Sequence, residues 1–584
     1  MPLTTVYSVL EDAAQKFGKA TALHQPVPGA KPPQYRTYNW IEYRDAVVEL
    51  ACGLHQLGIQ PGEIVAIYSE TRAEFYLADQ GVMACGAVSA ALYTSSPVAE
   101  NLRNLRASGA RYLLVEDPKT KRLFEEAMRA DPVDVTFILI TGQEPGVLTV
   151  EELRARGRAA LKADKGLFAR IHSAIDIHAP AVLYLTSGAT GEPKMGLVSH
   201  HAIVSNLSMG PAVLPMTERD RTIAFLPSAH IAQRVVVELL PMIYGTPVWF
   251  SENLLRLPQE IQAIKPTMLL APPRVWERIH ASVCTQLKKK GPAAQKVFWG
   301  ALGLGLRAAE LKRNGQPVPP HISIPLALAN NLLFKKIRNH LGGELKYPIS
   351  GAAPLGKDLA LFFEAIGMPL IEGYGLTEGG VTHMNPIDAV RPGTIGRALP
   401  GIETKLAEDG ELLIRSTTLF SGYYKDPEAT ARVLRDGWLY TGDLAEISAD
   451  GYVTITGRKK ELLVSSNGKK IYPARVEGLF KGEALISQVV LIGDRRPYVT
   501  ALFTLNAAAV EGVKNPEAEV RKVVARVNAQ LAQFEQIRKF QILEHDFSVQ
   551  TGELTPTMKV RRTKVLEKYK ELVEQMYQGK EESH

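Results

Sequence analysis

The chain has 584 residues, of which 46% are hydrophobic and 22% charged, and a net charge of +7. That length allows several domains and a large core, and the composition is that of a soluble globular protein rather than a disordered or fibrous one. The basic balance suits polyanionic small molecules or an acidic membrane surface, whereas basic residues that read as scattered rather than striped argue against nucleic acid.

Cys52, Cys85 and Cys284 stand far apart among apolar neighbours, the pattern of reduced thiols in a cytoplasmic protein. The first residues, MPLTTVYSVLEDAAQKF, carry acids at helical spacing and do not read as a signal peptide. The longest apolar run, residues 81–93, is too short and too rich in Gly and Ala to span a bilayer.

Strand-like runs then alternate with helical ones: EIVAIYS, RYLLVED, VTFILIT, APAVLYLTSG, TIAFLP, PTMLLAPP and MPLIEGYG. Short Val/Ile/Leu runs bounded by Gly and Pro predict parallel-rich sheets covered by helices, an α/β fold. From about residue 404 the texture changes. TKLAEDGELLIRS and GDLAEISADGYVTITGR predict a β-hairpin subdomain with turns at Asp409-Gly410 and Asp450-Gly451. A compact α+β pattern follows, with strands SQVVLIG and YVTALFTL, the helix EVRKVVARVNAQLAQF and a closing helix KVLEKYKELVEQMY. The expected division is a large domain over 1–457 and a small mobile domain over 458–584, hinged at 458–460. The closing helix puts Val565, Leu566, Tyr569, Leu572, Val573, Met576 and Tyr577 on one face. Packing on the small domain is the favoured reading of that face, and contact with a membrane surface is the alternative.

One stretch carries chemistry. LTSGATGEPKMGLVSH, residues 185–200, leaves a predicted strand as a run of small and hydroxyl side chains, the kind of loop whose free amides cradle an anion. It is not a nucleotide P-loop, because Pro193 precedes Lys194 and Met195 follows it. TSGATGEPK instead resembles the phosphate-binding signature of the adenylate-forming superfamily, which includes acyl-CoA synthetases, luciferases and peptide-synthetase adenylation domains. SGAAPL (350–355), EGYGLTE (372–378), YTGD (440–443), GRKKE (457–461) and LTPTMKVRR (554–562) resemble the same superfamily in the same order. The resemblance covers essentially the whole chain.

The resemblance implies an ATP site with named parts. Thr186, Ser187, Gly188, Thr190 and Gly191 would hold the β- and γ-phosphates with Lys194 as a point charge. Tyr374 would offer a flat face to the adenine, and Gly351, Ala352, Glu372 and Gly373 would belong to the same cofactor-binding set. Thr377 would reach the α-phosphate, and Glu378, with Thr186 beside it, would hold Mg²⁺ through hard oxygens. Asp443 would accept from the ribose hydroxyls, braced by Arg458. Lys460 would mark the hinge, and Lys559 would be the mobile catalytic lysine that bridges the acid and the phosphate. Two departures stand out: Ala189 replaces a usual Thr or Ser, and Met195 replaces a usual Gly or Ala, with Gly196 one place later. A bulky Met beside the loop would alter nucleotide affinity or loop mobility.

The substrate comes from the acyl pocket. FLPSAHIAQRVVVEL (225–239) and a long helical insertion after PPRVWERIHASV resemble long-chain acyl-CoA synthetases, with His230 near the acyl–phosphate junction. The expected reaction joins a long-chain fatty acid to CoA through an acyl-adenylate, with ATP and Mg²⁺ consumed as the magnesium complex. Alternatives are an acyl-AMP ligase, a medium-chain or aryl-acid CoA ligase, and a degenerate homologue that binds nucleotide or acyl chains without chemistry. The expected place is the cytoplasm, with peripheral contact at the inner face of a membrane as a variant. No nucleic-acid partner is expected, and the oligomeric state is left open with a homodimer as one option.

Overall fold

The computed structural model describes residues 4–30, 33–187, 193–511, 513–555 and 558–578. Among these, two large sheets dominate. The first has eight strands, with a parallel centre made by Val88–Ala91, Ile64–Tyr68, Tyr112–Val115 and Thr136–Leu139. Its far edge turns antiparallel where Pro180–Ser187, Pro193–Ser199 and Gly422–Tyr423 pair in succession. The second has nine strands, with a parallel run through Val248–Phe250, Thr222–Ala224, Met268–Ala271, Tyr347–Ser350 and Ile371–Leu376. These central strands are buried on both faces, which is why they read as continuous apolar runs rather than alternating ones.

Helices cover the sheets closely. Trp40–Gln56 and Val150–Ala163 meet at glycines: a Cβ on Gly157 would lie 1.8 Å from the Glu49 carbonyl oxygen, and one on Gly53 2.0 Å from that of Leu153. Only glycine permits that approach. A buried polar layer ties the helix Ala73–Ala84 to a π-helical stretch, Gln233–Leu239. Arg234 there donates to both oxygens of Asp79, at 2.7 and 3.0 Å, and both side chains are fully buried.

The expected hairpins form as Glu403–Leu406 with Glu411–Arg415 and as Trp438–Ile447 with Val453–Arg458. The last segment is a three-stranded sheet, Ile486–Ile492, Val499–Leu505 and Ile537–Ile542, backed by the helix Pro516–Asn528. The closing helix is corrected in one respect. It is two helices, Arg562–Lys568 and Lys570–Tyr577, divided where Tyr569 leaves helical angles. Across the break the expected apolar face is kept: Val565, Val573 and Met576 are buried on the small sheet, with Leu566, Tyr569, Leu572 and Tyr577 packed against them. Among the described residues no helix is long and apolar enough to cross a membrane, and all three cysteines are buried.

Candidate active site

Strand Pro180–Ser187 leads into the phosphate-loop segment and strand Pro193–Ser199 leads out of it, with Thr186 opposite Lys194 and Tyr184 opposite Gly196. Gly188, Thr190 and Gly191, with Ala189, lie outside the described residues, and of Thr186 and Ser187 only the backbone course is described. Alternation along the outgoing strand sends Lys194 and Gly196 to one face and Met195 to the other. Met195 packs with Leu185 and Leu197 in an apolar cluster. Its side chain therefore points into the core, on the face opposite Lys194. Gly196 faces the site, where a Cβ would sit 3.1 Å from Thr377 Cγ2.

The next strand, Gly422–Tyr423, adds a residue that the sequence reading missed. Tyr423 pairs with Gly196, so its ring shares the face of Lys194, whose ammonium lies 4.5 Å from the ring centroid. The phenol donates to Glu378 Oε1 at 2.5 Å. Burial, then the Glu378 charge, push the phenol's pKa up and keep it a donor. One aromatic side chain thus sets the lysine and the carboxylate of the GLTE turn on either side of itself. Its only sequence signal was an aromatic pair after Gly422.

Glu378 stands as a single carboxylate. Among the described residues no three His, Cys, Asp or Glu side chains gather to hold a metal unaided. That donor set fits Mg²⁺, which keeps several waters and takes one or two carboxylates together with substrate phosphates.

The hairpin strands supply the other wall. Asp443 and Arg458 are direct ladder partners, and Arg458 Nε meets Asp443 Oδ1 at 2.9 Å. The Tyr374 hydroxyl donates to Asp443 Oδ2 at 2.6 Å. Burial and the Asp443 charge raise the Tyr374 pKa far above its usual value, while the Asp443 charge raises that of Arg458. Asp443 is buried, so its oxygens are held by these two partners and aimed at the cleft.

That cleft, about 1060 Å³, runs between the large domain and the last segment and is lined by Ala352, Glu372, Tyr374, Asp443, Arg458 and Lys559. Its floor carries unusual polar groups. Ala352 adopts φ 69°, the left-handed region. Buried Ser350 Oγ has no hydrogen-bond partner among the described residues. Glu372 is buried and accepts the Gly393 amide at 2.9 Å. Burial outweighs that bond and pushes its pKa up to about 8, so it is neutral at neutral pH.

Lys559 sits on a tight turn closed by the bridge Leu554–Val560, with its own amide bonded to Thr555 Oγ1 at 3.0 Å. Its surface still meets water in the cavity, but the enclosing walls set the cost of its charge. Removal from bulk water, then the Arg458 charge, lower its pKa to about 8 against the pull of Asp443, Glu378 and Glu461. His230 faces the same ammonium. Burial and the Lys559 charge hold the ring's pKa down to about 3. Its Nδ1 accepts the Ala232 amide at 3.1 Å, so the neutral ring carries its proton on Nε2.

The structure thus brings Tyr374, Asp443, Arg458 and Lys559 around one cleft with Ala352, Glu372 and Gly373, and it joins Lys194 and Glu378 through Tyr423, with Thr377 beside Gly196 on the same strand face. Gly351, Lys194, Thr377 and Glu378 do not line the cleft, nor does Lys460, which is exposed in the turn Lys459–Glu461.

Comparison with known proteins follows the same lines. The family described as AMP-binding enzyme matches residues 10–424, and its C-terminal domain matches residues 460–581. A long-chain-fatty-acid–CoA ligase of Mycobacterium tuberculosis is 34% identical over 549 residues, 90% of each chain. A long-chain-fatty-acid–[acyl-carrier-protein] ligase of Arabidopsis thaliana is 26% identical, covering 98% of this chain and 86% of its own. The fold is that of the adenylation domain of a carboxylate reductase from Mycobacterium chelonae, with TM-score 0.77 at 22% identity over 99% of this chain and 92% of that one. On these matches and on the geometry above, the chain belongs to the AMP-binding enzyme family.

Proposed function

We propose that this protein activates a long-chain fatty acid with ATP and transfers the acyl group to CoA, releasing AMP and pyrophosphate. The observation that carries the reading is Lys559, held in the same cleft as Asp443 and Arg458 and near enough to Glu378 and His230 for their charges to act on one another. An acid and a triphosphate repel each other, and their approach requires fixed cations where they meet. Lys559 supplies one at the α-phosphate, and Lys194, anchored over Tyr423, supplies another on the opposite side. Asp443 accepts from the ribose, Tyr374 presents its ring to the base, and the neutral His230 offers Nε2–H to an acyl or phosphoryl oxygen. Mg²⁺ held through Glu378 would neutralise phosphate charge. The long-chain assignment is supported by the Mycobacterium tuberculosis relative and by the helical insertion after Met268–Ala271.

The division into a body over 1–457 and a moving domain over 458–584, hinged at 458–460, belongs to this reading. With Lys559 in the cleft, the small domain occupies the side from which a thiol would approach, and it must leave before transfer. The Arabidopsis relative favours a second acceptor, a carrier protein. One experiment tests both: purified protein with ATP–Mg²⁺, acids of graded length, and either CoA or a phosphopantetheinylated carrier protein, with products identified by mass spectrometry. Acyl-CoA from long acids is the expected product. Acid-dependent ATP–pyrophosphate exchange without acyl-CoA would move the assignment to the carrier protein, and absence of exchange would leave a binding protein without chemistry.

A further inference from the structure

The helical insertion between Met268–Ala271 and Tyr347–Ser350 leaves a large apolar surface outside. Ile324, Leu328 and Leu332 follow one another at four-residue steps along a helical run and are 70%, 62% and 55% exposed. Val297 and Trp299, on the neighbouring helix Pro292–Arg313, are 61% and 47% exposed. An edge contact between Phe298 and Phe334, centroids 6.1 Å apart, fastens the start of that helix to the end of the other run. Ile324, Leu328 and Leu332 therefore form an exposed apolar stripe, with Val297 and Trp299 exposed on the helix packed beside it, and grouped apolar exposure of this kind marks an interaction surface.

Charge on this segment is as unusual. Residues 278–343 contain eleven Lys and Arg against one acid, Glu310, a net of +10. The whole chain carries +7, so everything else sums to −3. The segment holds eleven of the chain's 68 basic residues but only one of its 61 acids, so its charge comes chiefly from the near absence of acids. Lys288, Lys289, Lys290 and Lys296 come just before Val297 and Trp299 in the chain, and Lys335 and Lys336 follow Leu332 within four residues; all six are exposed.

We propose that this face docks on a lipid bilayer bearing anionic headgroups. Exposed apolar side chains flanked along the chain by lysines match the acyl–headgroup boundary of such a surface. A second copy of the chain is disfavoured as the occupant, because two faces of this charge would repel each other. The closing helix, the other candidate for a membrane contact, has its apolar side buried against the small sheet. The position also suits the proposed substrate, on which only this last point rests. Helix Pro273–Lys288 starts at the cleft, where Arg274, Glu277 and Arg278 line the wall, and ends at the lysine cluster.

Vesicle flotation of the full chain tests this without any catalysis. The protein is expected to float with phosphatidylcholine vesicles containing phosphatidylglycerol, weakly with phosphatidylcholine alone, and less as salt is raised. The triple variants I324S/L328S/L332S and K288Q/K289Q/K290Q should each lower the bound fraction on the order of tenfold or more. Both should keep the parent's acid-dependent pyrophosphate exchange in detergent solution, since none of these residues belongs to the site. Variants that float like the parent would overturn the proposal. So would binding lost with the lysines but not with the apolar residues, which would mark a polyanion site. A parent dimer that the apolar variant abolishes, with vesicle binding unchanged, would assign the face to a second copy. A protein that floats as expected yet forms no acyl product would leave the docking intact and remove only the substrate reading.

Discussion

Lys559 carries the most specific chemical expectation. Replacing it by alanine should slow acyl-adenylate formation by about a hundredfold or more, while thioester formation from ready-made acyl-adenylate and CoA stays near the parent rate. Its pKa of about 8 adds a pH signature. The charged form is the useful one, so kcat/KM for pyrophosphate exchange should fall as pH rises through about 8, and Lys559→Arg should move that fall upward. A flat profile across this range in the parent would remove the lysine from the step. Glu372 makes a separate test. Its folded pKa, about 8, lies above the ordinary carboxylate value, so unfolding releases a proton between about pH 4.5 and 8. The stability it contributes is fully present at low pH and is lost as pH rises through that window. Glu372→Gln removes the penalty, so its unfolding midpoint should pull ahead of the parent's from about pH 4.5 to 8 and match it below. At this scale the sequence was informative wherever a role follows from local spacing, as in EGYGLTE or YTGD. It was silent on Tyr423, whose role exists only because two distant strands pair.

Elements were legible where burial leaves a period in the sequence. The central parallel strands and the two Asp-Gly hairpins stand where their runs of residues suggested. Alternation also places what the sequence alone could not: the ladder sends Met195 to the opposite face from Lys194. The break at Tyr569 had no signal, since the apolar period runs through it unchanged. The contact between Trp40–Gln56 and Val150–Ala163 gives a prediction at this scale. Gly157→Ala places a methyl 1.8 Å from a carbonyl oxygen, so the helices must separate at a cost of about 1–3 kcal/mol. Calorimetry should show the midpoint of the large domain lowered, while Gly300→Ala, where a Cβ meets nothing within 4 Å, should hold or gain stability.

Contacts across the cleft join its two walls, and on the proposed reading they belong to the arrangement that suits adenylation. Arg274 on the large domain donates to Asp546 at 2.7 Å and to Ser487 Oγ at 3.1 Å, and the Lys481 ammonium donates to the Pro354 carbonyl. Arg274→Ala removes charged hydrogen bonds from this state alone. Adenylation should slow on the order of tenfold while thioester formation from acyl-adenylate does not slow, and an equal loss in both steps would detach these contacts from the domain arrangement. None of this was legible beforehand, because Arg274, Ser487 and Asp546 belong to segments that meet only after both domains have folded. The same helix that carries Arg274 has one more consequence. It is 16 residues long, about 24 Å at the ordinary helical rise, and it connects the cleft to a face built for lipid. An enzyme fed along such a path counts its substrate per unit of surface and not per unit of volume. Adding acid-free vesicles at fixed total acid should then slow the reaction in proportion to the fall in mole fraction. Diluting the whole suspension should leave the rate per bound enzyme unchanged.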